Sequence, residues 1–345
     1  MMIENNSDNI FNKEVSKKLQ GIAILMMLMT HCFADPQRLN NNYISIFGWD
    51  KLEVLFAIFC KFCVAIYVFI SAYGLYKKFE KEDYSIVNSY KIIFGIFINF
   101  YSKFLLVFIF FVPYRFFVLG KEFEIRLFLQ NLLSIRCTYN GEWWYVKWYI
   151  VILFIFPIIY KFVYNNRSFG IKLISLLFCI VILRLTGNSI PYAIIFLQGM
   201  CVAKYNIFNM IQKKFKKTYL LTYLLTNVIL IIIFIYIYLT IEWPYADVIL
   251  APILIYLFIN VLNIMSKDIH LNRILIIFGE NSLFIWLTHT FYLYYYFQNI
   301  ILLPKYSLFI YLLLVLISLI TAIILNYILR LFDNVKLKKV LNNQL

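Results

Sequence analysis

Apolar runs in this chain repeatedly reach the roughly 20 residues that a helix needs to cross a bilayer. Ten can be read, at about 19–34, 54–76, 95–115, 147–163, 171–186, 190–204, 218–239, 246–265, 274–297 and 307–330. A backbone in hydrocarbon has to satisfy its own polar groups, and runs of this length do so as helices. The predicted fold is therefore all-α, a polytopic bundle of about ten transmembrane helices. A composition 63% hydrophobic and only 14% charged leaves no alternative soluble core to build. The third run is interrupted by Asn99, Ser102 and Lys103, so residues 92–101 are expected to lie along the membrane surface, with the crossing starting near Lys103.

The net charge of +15 would point to nucleic acid in a soluble protein. Here most lysines flank apolar runs, where positive charge sets orientation. With the N-terminus inside, the cytoplasmic loops hold 21 Lys and Arg against eight in the opposite set. This predicts cytoplasmic termini and a multi-pass protein whose partner is the lipid bilayer, with no nucleic acid. Neither an inverted repeat nor a low-complexity linker divides the chain, which gives a cytoplasmic segment 1–18, one membrane domain 19–330 and a basic tail 331–345. Cys32-Phe33-Ala34 fits a small-x-small cleavage site poorly, so the first run is expected to be retained.

Among six cysteines, Cys60 and Cys63 have CxxC spacing, but they sit inside a spanning run with no further Cys or His nearby in sequence. They read as packing thiols, and no metal site is predicted. His31 is different. It closes the run Ile22–Met29, and an ionisable group in hydrocarbon is costly unless it faces protein or water. Gln20, eleven residues earlier, lies on the same helix stripe about 16 Å away along the axis. His289 lies in the ninth run between Thr288 and Thr290, where it would orient a ligand or bridge helices. The longest outer loop, about 116–146, carries Glu142, Trp143 and Trp144, read either as a binding loop or as an interfacial segment with belt tryptophans.

Several stretches together resemble the acyltransferase family 3 membrane proteins, integral ten-helix enzymes that acetylate bacterial surface glycans. Residues 19–31 read LQGIAILMMLMTH, residues 67–75 read YVFISAYGL, and Trp143-Trp144-Tyr145 is followed by Phe156-Pro157. Phe196 to Lys204 reads FLQGMCVAK, and Gly279, Ser282, Leu283, Ile285, Trp286, Leu287, His289 and Phe291 match the late motif. The matches keep the family's order across nearly the whole chain. There are departures. Gln20 stands where well-studied branches carry arginine, and Lys17 and Lys18 bring charge nearby but not on the same stripe. Tyr149 stands at an acid position of some branches, leaving Glu142 as the nearest carboxylate.

The resemblance implies acetyl or another small acyl group moving from a CoA thioester to a sugar hydroxyl of a surface glycan or lipid-linked oligosaccharide, at a bacterial plasma membrane. Acetyl-CoA or another acyl-CoA would be a cosubstrate, with no cofactor bound permanently. His31 would be the catalytic group, as general base or acyl-accepting nucleophile, since neutral imidazole suits both. Gln20 and Ser71 would support it, Ser71 bonding either the histidine or a helix carbonyl. Lys17, Lys18, Lys77, Lys78 and Lys103 would offer positive charge to the anionic donor. Glu142, Trp143, Trp144 and His289 would face the acceptor. The rival readings are an exporter of polysaccharide or lipid-linked sugar, and a structural subunit of a glycan-assembly complex.

Overall fold

A computed structural model describes residues 10–39, 43–45, 50–80, 85–164, 190–214, 220–240, 246–265 and 268–342. Apart from an isolated bridge between Ile44 and Tyr306, the described residues form helices and their connections. Asn12 caps the first helix, α1 (Lys13–Phe33), by accepting from the Val15 amide at 3.0 Å. Ser85 and Asp268 do the same at the starts of α4 (Ile86–Phe117) and α11 (Ile269–Thr290). Between them lie α2 (Asp50–Phe59), α3 (Cys63–Glu80), α5 (Ile125–Leu132), α6 (Trp144–Ile158), α7 (Ile190–Tyr205), α8 (Ile207–Lys214), α9 (Leu220–Thr240) and α10 (Ala246–Ile264). The last helix is α12 (Ser307–Asn342). Helical structure thus begins inside the segment 1–18 and continues past residue 330.

Seven of the ten expected crossings coincide with helices long and apolar enough to span a membrane. The sixth is a bent pair, α7 and α8, meeting at 61°. Asn206 forms the bend with φ of 50°, a left-handed conformation that asparagine tolerates better than most residues. The fifth crossing, 171–186, lies outside the described residues. The first, α1, is not among the seven, because Lys17, Lys18, Gln20 and His31 dilute its apolar run. Its neighbours make this tolerable: from Val15 to Phe33 no residue is exposed, and α1 is enclosed chiefly by α2, α3, α11 and α12.

The expected surface stretch 92–101 is corrected by the structure, because α4 runs unbroken from Ile86 to Phe117. Ser102 donates back to the Asn99 carbonyl at 3.1 Å, so this polar group is satisfied within the helix it was expected to interrupt. Lys103 is half-buried and within electrostatic reach of Lys17. The break in the second span falls instead at Cys60–Phe62, a 3-10 turn joining α2 to α3. Cys60 and Cys63 are buried there as packing thiols, and Lys61 is exposed.

Glycines set how closely the central helices approach. A Cβ on Gly21 would collide with the Leu275 carbonyl, and one on Gly279 with the Lys17 carbonyl. On the far side, a Cβ on Gly199 of α7 would come within 2.6 Å of the Phe69 carbonyl oxygen of α3. In lipid, where helices gain no hydrophobic drive toward one another, such backbone contacts supply the association. Gly279→Ala is therefore expected to cost about 1–3 kcal/mol, as overpacking does, and to lower the thermal midpoint of the detergent-solubilised protein. Gly74→Ala, with nothing within 4 Å of the added methyl, is expected not to lower it.

Candidate functional site

His31 sits in the last turn of α1, and its helix end is pinned on several sides. Thr30 Oγ1 donates to the Ala57 carbonyl of α2 at 2.7 Å, and the Tyr294 hydroxyl donates to the His31 carbonyl. The π-helical turn Phe291–Tyr295 that carries Tyr294 continues α11, so the partner of α1 in packing also holds its tip.

The loop after α4 docks onto the same end through a succession of polar anchors. Tyr101 reaches the Leu132 carbonyl at 2.6 Å, and Asn131 accepts from the Tyr139 amide at 3.1 Å while donating to Thr138 at 2.8 Å. Asn140 is fully buried; its amide donates to Thr290 Oγ1 at 2.7 Å and its Oδ1 accepts from the Glu142 amide at 3.1 Å. The Gly141 amide donates to Tyr295 Oη at 2.8 Å, and the buried Trp143 donates Nε1–H to the Leu287 carbonyl at 3.1 Å. Every residue from 140 to 143 thus has a hydrogen bond that helps fix the turn. The outcome is the placement of one carboxylate.

Glu142 Oε2 lies 3.9 Å from His31 Nε2. Its other oxygen, Oε1, accepts from both Nη1 and Nη2 of Arg38 at 3.0 Å. The Arg38 guanidinium lies 3.9 Å over the Tyr294 ring, and the Arg38 carbonyl accepts from Gln298 at 3.0 Å. At 3.9 Å the carboxylate is beyond direct hydrogen bonding to the imidazole but close enough to stabilise a positive charge on it. Coulomb attraction at that distance favours the charged ring, and Arg38 and Lys61, both within electrostatic reach of His31, oppose it.

His289 stands behind His31, with ring centroids 4.9 Å apart. Its Nδ1 is 2.7 Å from the Trp286 carbonyl and 3.2 Å from that of Ile285. Carbonyls only accept, so Nδ1 carries the proton and Nε2 offers its lone pair. That Nε2 is buried and has no hydrogen-bond partner. The His31 side chain retains 15% exposure whereas His289 has none, so of the two imidazoles His31 is the one a substrate can touch.

The other end of α1 is polar as well. Lys17 Nζ donates to Gln20 Oε1 at 3.1 Å, and Tyr67 donates to the Gln20 carbonyl at 3.0 Å. Lys103 of α4 and Glu280 of α11 are within electrostatic reach of Lys17. The expectation that Lys17 would miss the Gln20 stripe is thereby corrected: spacing of i, i+3 lets the flexible lysine fold onto the amide. Lys18 is buried and paired with Glu14 at 2.6 Å, Lys77 is paired with Glu80 at 2.7 Å, and Lys78 is exposed. Ser71 lies one turn beyond Tyr67, at the Gln20 end, three helical turns from His31; contact with the histidine is excluded by that separation. Trp143 packs against Phe104 and Phe291, whereas Trp144 is 39% exposed and stacks on Tyr192 at 5.7 Å.

Sequence reasoning missed Arg38 and Tyr294 as members of this site. Arg38 lies only seven residues past His31, and that proximity was the available signal. No group of three His, Cys, Asp or Glu side chains able to hold a metal ion occurs among the described residues.

A family model described as an acyltransferase domain matches residues 19–331. No curated protein and no solved structure gives a significant match. Asn140→Ala would leave Thr290 unpaired and the turn uncapped, a loss of about 1–3 kcal/mol. Trypsin is expected to cut at the exposed Arg136 about tenfold faster in that variant than in the wild type under native conditions.

Proposed function

The chain belongs to acyltransferase family 3, and from that premise we propose that it transfers an acetyl or other small acyl group from a CoA thioester to a sugar hydroxyl. The acceptor is a cell-envelope polysaccharide or its lipid-linked precursor, and the protein works in a bacterial plasma membrane with its termini on the cytoplasmic side. The observation that carries this reading is the approach of Glu142 to His31 at the open end of a helix otherwise sealed by its neighbours.

In this reading His31 acts as general base. Its imidazole takes the proton of the sugar hydroxyl as the oxygen attacks the thioester carbonyl, and Glu142 stabilises the imidazolium that forms. The C–S bond then breaks, and the CoA thiolate leaves with the proton held on the ring. The carboxylate faces Nε2, which favours proton transfer over acylation at that nitrogen. Arg38, bonded twice to one carboxylate oxygen and stacked on Tyr294, holds Glu142 in place. At the opposite end, Lys17, Gln20 and Lys103 form the polar, positively charged surface that the anionic donor would meet. The pairing of Lys18 with Glu14 and of Lys77 with Glu80 favours Lys17, Lys78 and Lys103 among the lysines for that role.

Ester-linked acetyl on the surface glycan, read by proton NMR, tests the proposal. His31→Ala is expected to abolish the signal with normal polymer yield, since loss of a general base costs about 10²–10⁴-fold. Glu142→Gln is expected to lower initial acetylation rates about tenfold to a hundredfold, the cost of losing a few kcal/mol of charge stabilisation. Wild-type acetylation in the His31→Ala strain would overturn the assignment, and loss of the polymer itself would favour export.

A further inference from the structure

Beyond the Glu142 turn, a run of aromatic side chains leads away from His31 and ends at a carboxylate inside the helix bundle. Trp144 stacks on Tyr192 with ring planes 29° apart, and Trp148 meets the same ring at 6.3 Å. Tyr145 lies 5.1 Å from Trp148 and 5.7 Å from Trp286, whose carbonyl holds the His289 ring. Past Tyr192 is Asp247, in the first turn of α10, accepting a hydrogen bond from Tyr238 of α9.

Three polar atoms along this wall are buried without a partner: Tyr145 Oη, Trp148 Nε1 and Asp247 Oδ1. An interfacial aromatic belt would place such atoms in water. Here each costs about 1–3 kcal/mol as it stands, and an ionisable side chain within a membrane bundle marks a functional position by default. The rim of the wall is nonetheless accessible, since Trp144 is exposed and Tyr145, Tyr192, Trp286 and Asp247 are each partly accessible, while Trp148 is buried among them.

We propose that Trp144, Tyr145, Trp148, Tyr192 and Asp247 form the subsite that holds the acyl acceptor, and that the ligand is a hydroxylated ring. This rests on the acyl-transfer reading and deepens it. The chemistry selects the class. A flat aromatic face takes the C–H side of a pyranose, the Asp247 carboxylate accepts from ring hydroxyls, and the indole N–H donates to a hydroxyl oxygen, while the Tyr145 hydroxyl can pair either way. A quaternary ammonium would satisfy the rings and the carboxylate but could not accept from Trp148. The order of the wall, from Asp247 through Tyr192 and Tyr145 to Trp286 beside His289, brings one end of the ring toward His31.

The test compares ester-linked acetyl on the cell-surface glycan for Asp247→Asn, Trp148→Phe, Trp144→Ala and His31→Ala, each checked for wild-type abundance in the membrane. Purified protein in detergent is melted with and without acetyl-CoA as the donor probe. The expected result is at least a tenfold loss of acetyl in Asp247→Asn, a severalfold loss in Trp148→Phe and Trp144→Ala, and rescue by Trp144→Phe. The acetyl-CoA-induced rise in melting temperature is expected to persist in all of these tryptophan and aspartate variants. Wild-type acetylation in Asp247→Asn, alongside loss in His31→Ala, overturns the subsite and leaves the acyl-transfer reading standing; retention in both overturns that reading first. Loss of the acetyl-CoA response in Asp247→Asn also overturns the subsite, because it places the aspartate with the donor. If Asp247→Asn fails to accumulate, wild-type acetylation in both Trp148→Phe and Trp144→Ala is the overturning result.

Discussion

The close crossing of α1 and α11 at Gly21 and Gly279 is the contact on which the site depends. Each glycine faces a backbone carbonyl of the other helix, so neither position has room for a methyl group. Because the two helices touch backbone to backbone, residues far apart in sequence at their shared end are held in one register: His31 beside His289, and Tyr294 over the tip of α1. The loop that supplies Glu142 then docks against α11, with Asn140 bonded to Thr290 and Trp143 to Leu287. A wider crossing would separate the histidines and leave the loop nothing to grip.

The structure gives the unusual tyrosine content a physical role. Tyr67, Tyr294 and Tyr311 each donate to a carbonyl of α1, at Gln20, His31 and Leu25, and Tyr101 of α4 donates to the Leu132 carbonyl at the end of α5. The Gln20 and Leu25 carbonyls lie within α1 and keep a second lone pair, while those of His31 and Leu132 lie in the last turn of their helices, where no intrahelical donor follows; in both cases a phenol brings its own hydroxyl on an apolar body. Tyrosine therefore joins helices in a medium that supplies no water to satisfy polar groups.

Much of the architecture was legible because membrane insertion makes each helix declare itself locally, through length and hydropathy. His31 was legible for the converse reason, as a polar interruption that hydrocarbon would penalise. What the sequence concealed were relations between segments. The course of a loop brings Glu142 to within 3.9 Å of His31, and Arg38 finds that same carboxylate across more than a hundred residues. The continuity of α4 was hidden because side-chain hydroxyls that bond their own helix look, in a string of letters, like breaks. Between the two partners that the sequence left open to Ser71, geometry decides against the histidine, because antiparallel α3 carries the serine toward the Gln20 end.

The enclosure of α1 by its neighbours bears on how the chain is made. α1 carries Lys17, Lys18, Gln20 and His31, and it is synthesised well before α11 and α12, whose surfaces cover it. Until then its polar face must be sheltered by α2, α3 and, once made, α10, or by the insertion machinery. Assembly is thus a late closure in which α1 waits for α11 and α12, and a chain cut short before α11 leaves Lys17, Gln20 and His31 without the neighbours that cover them.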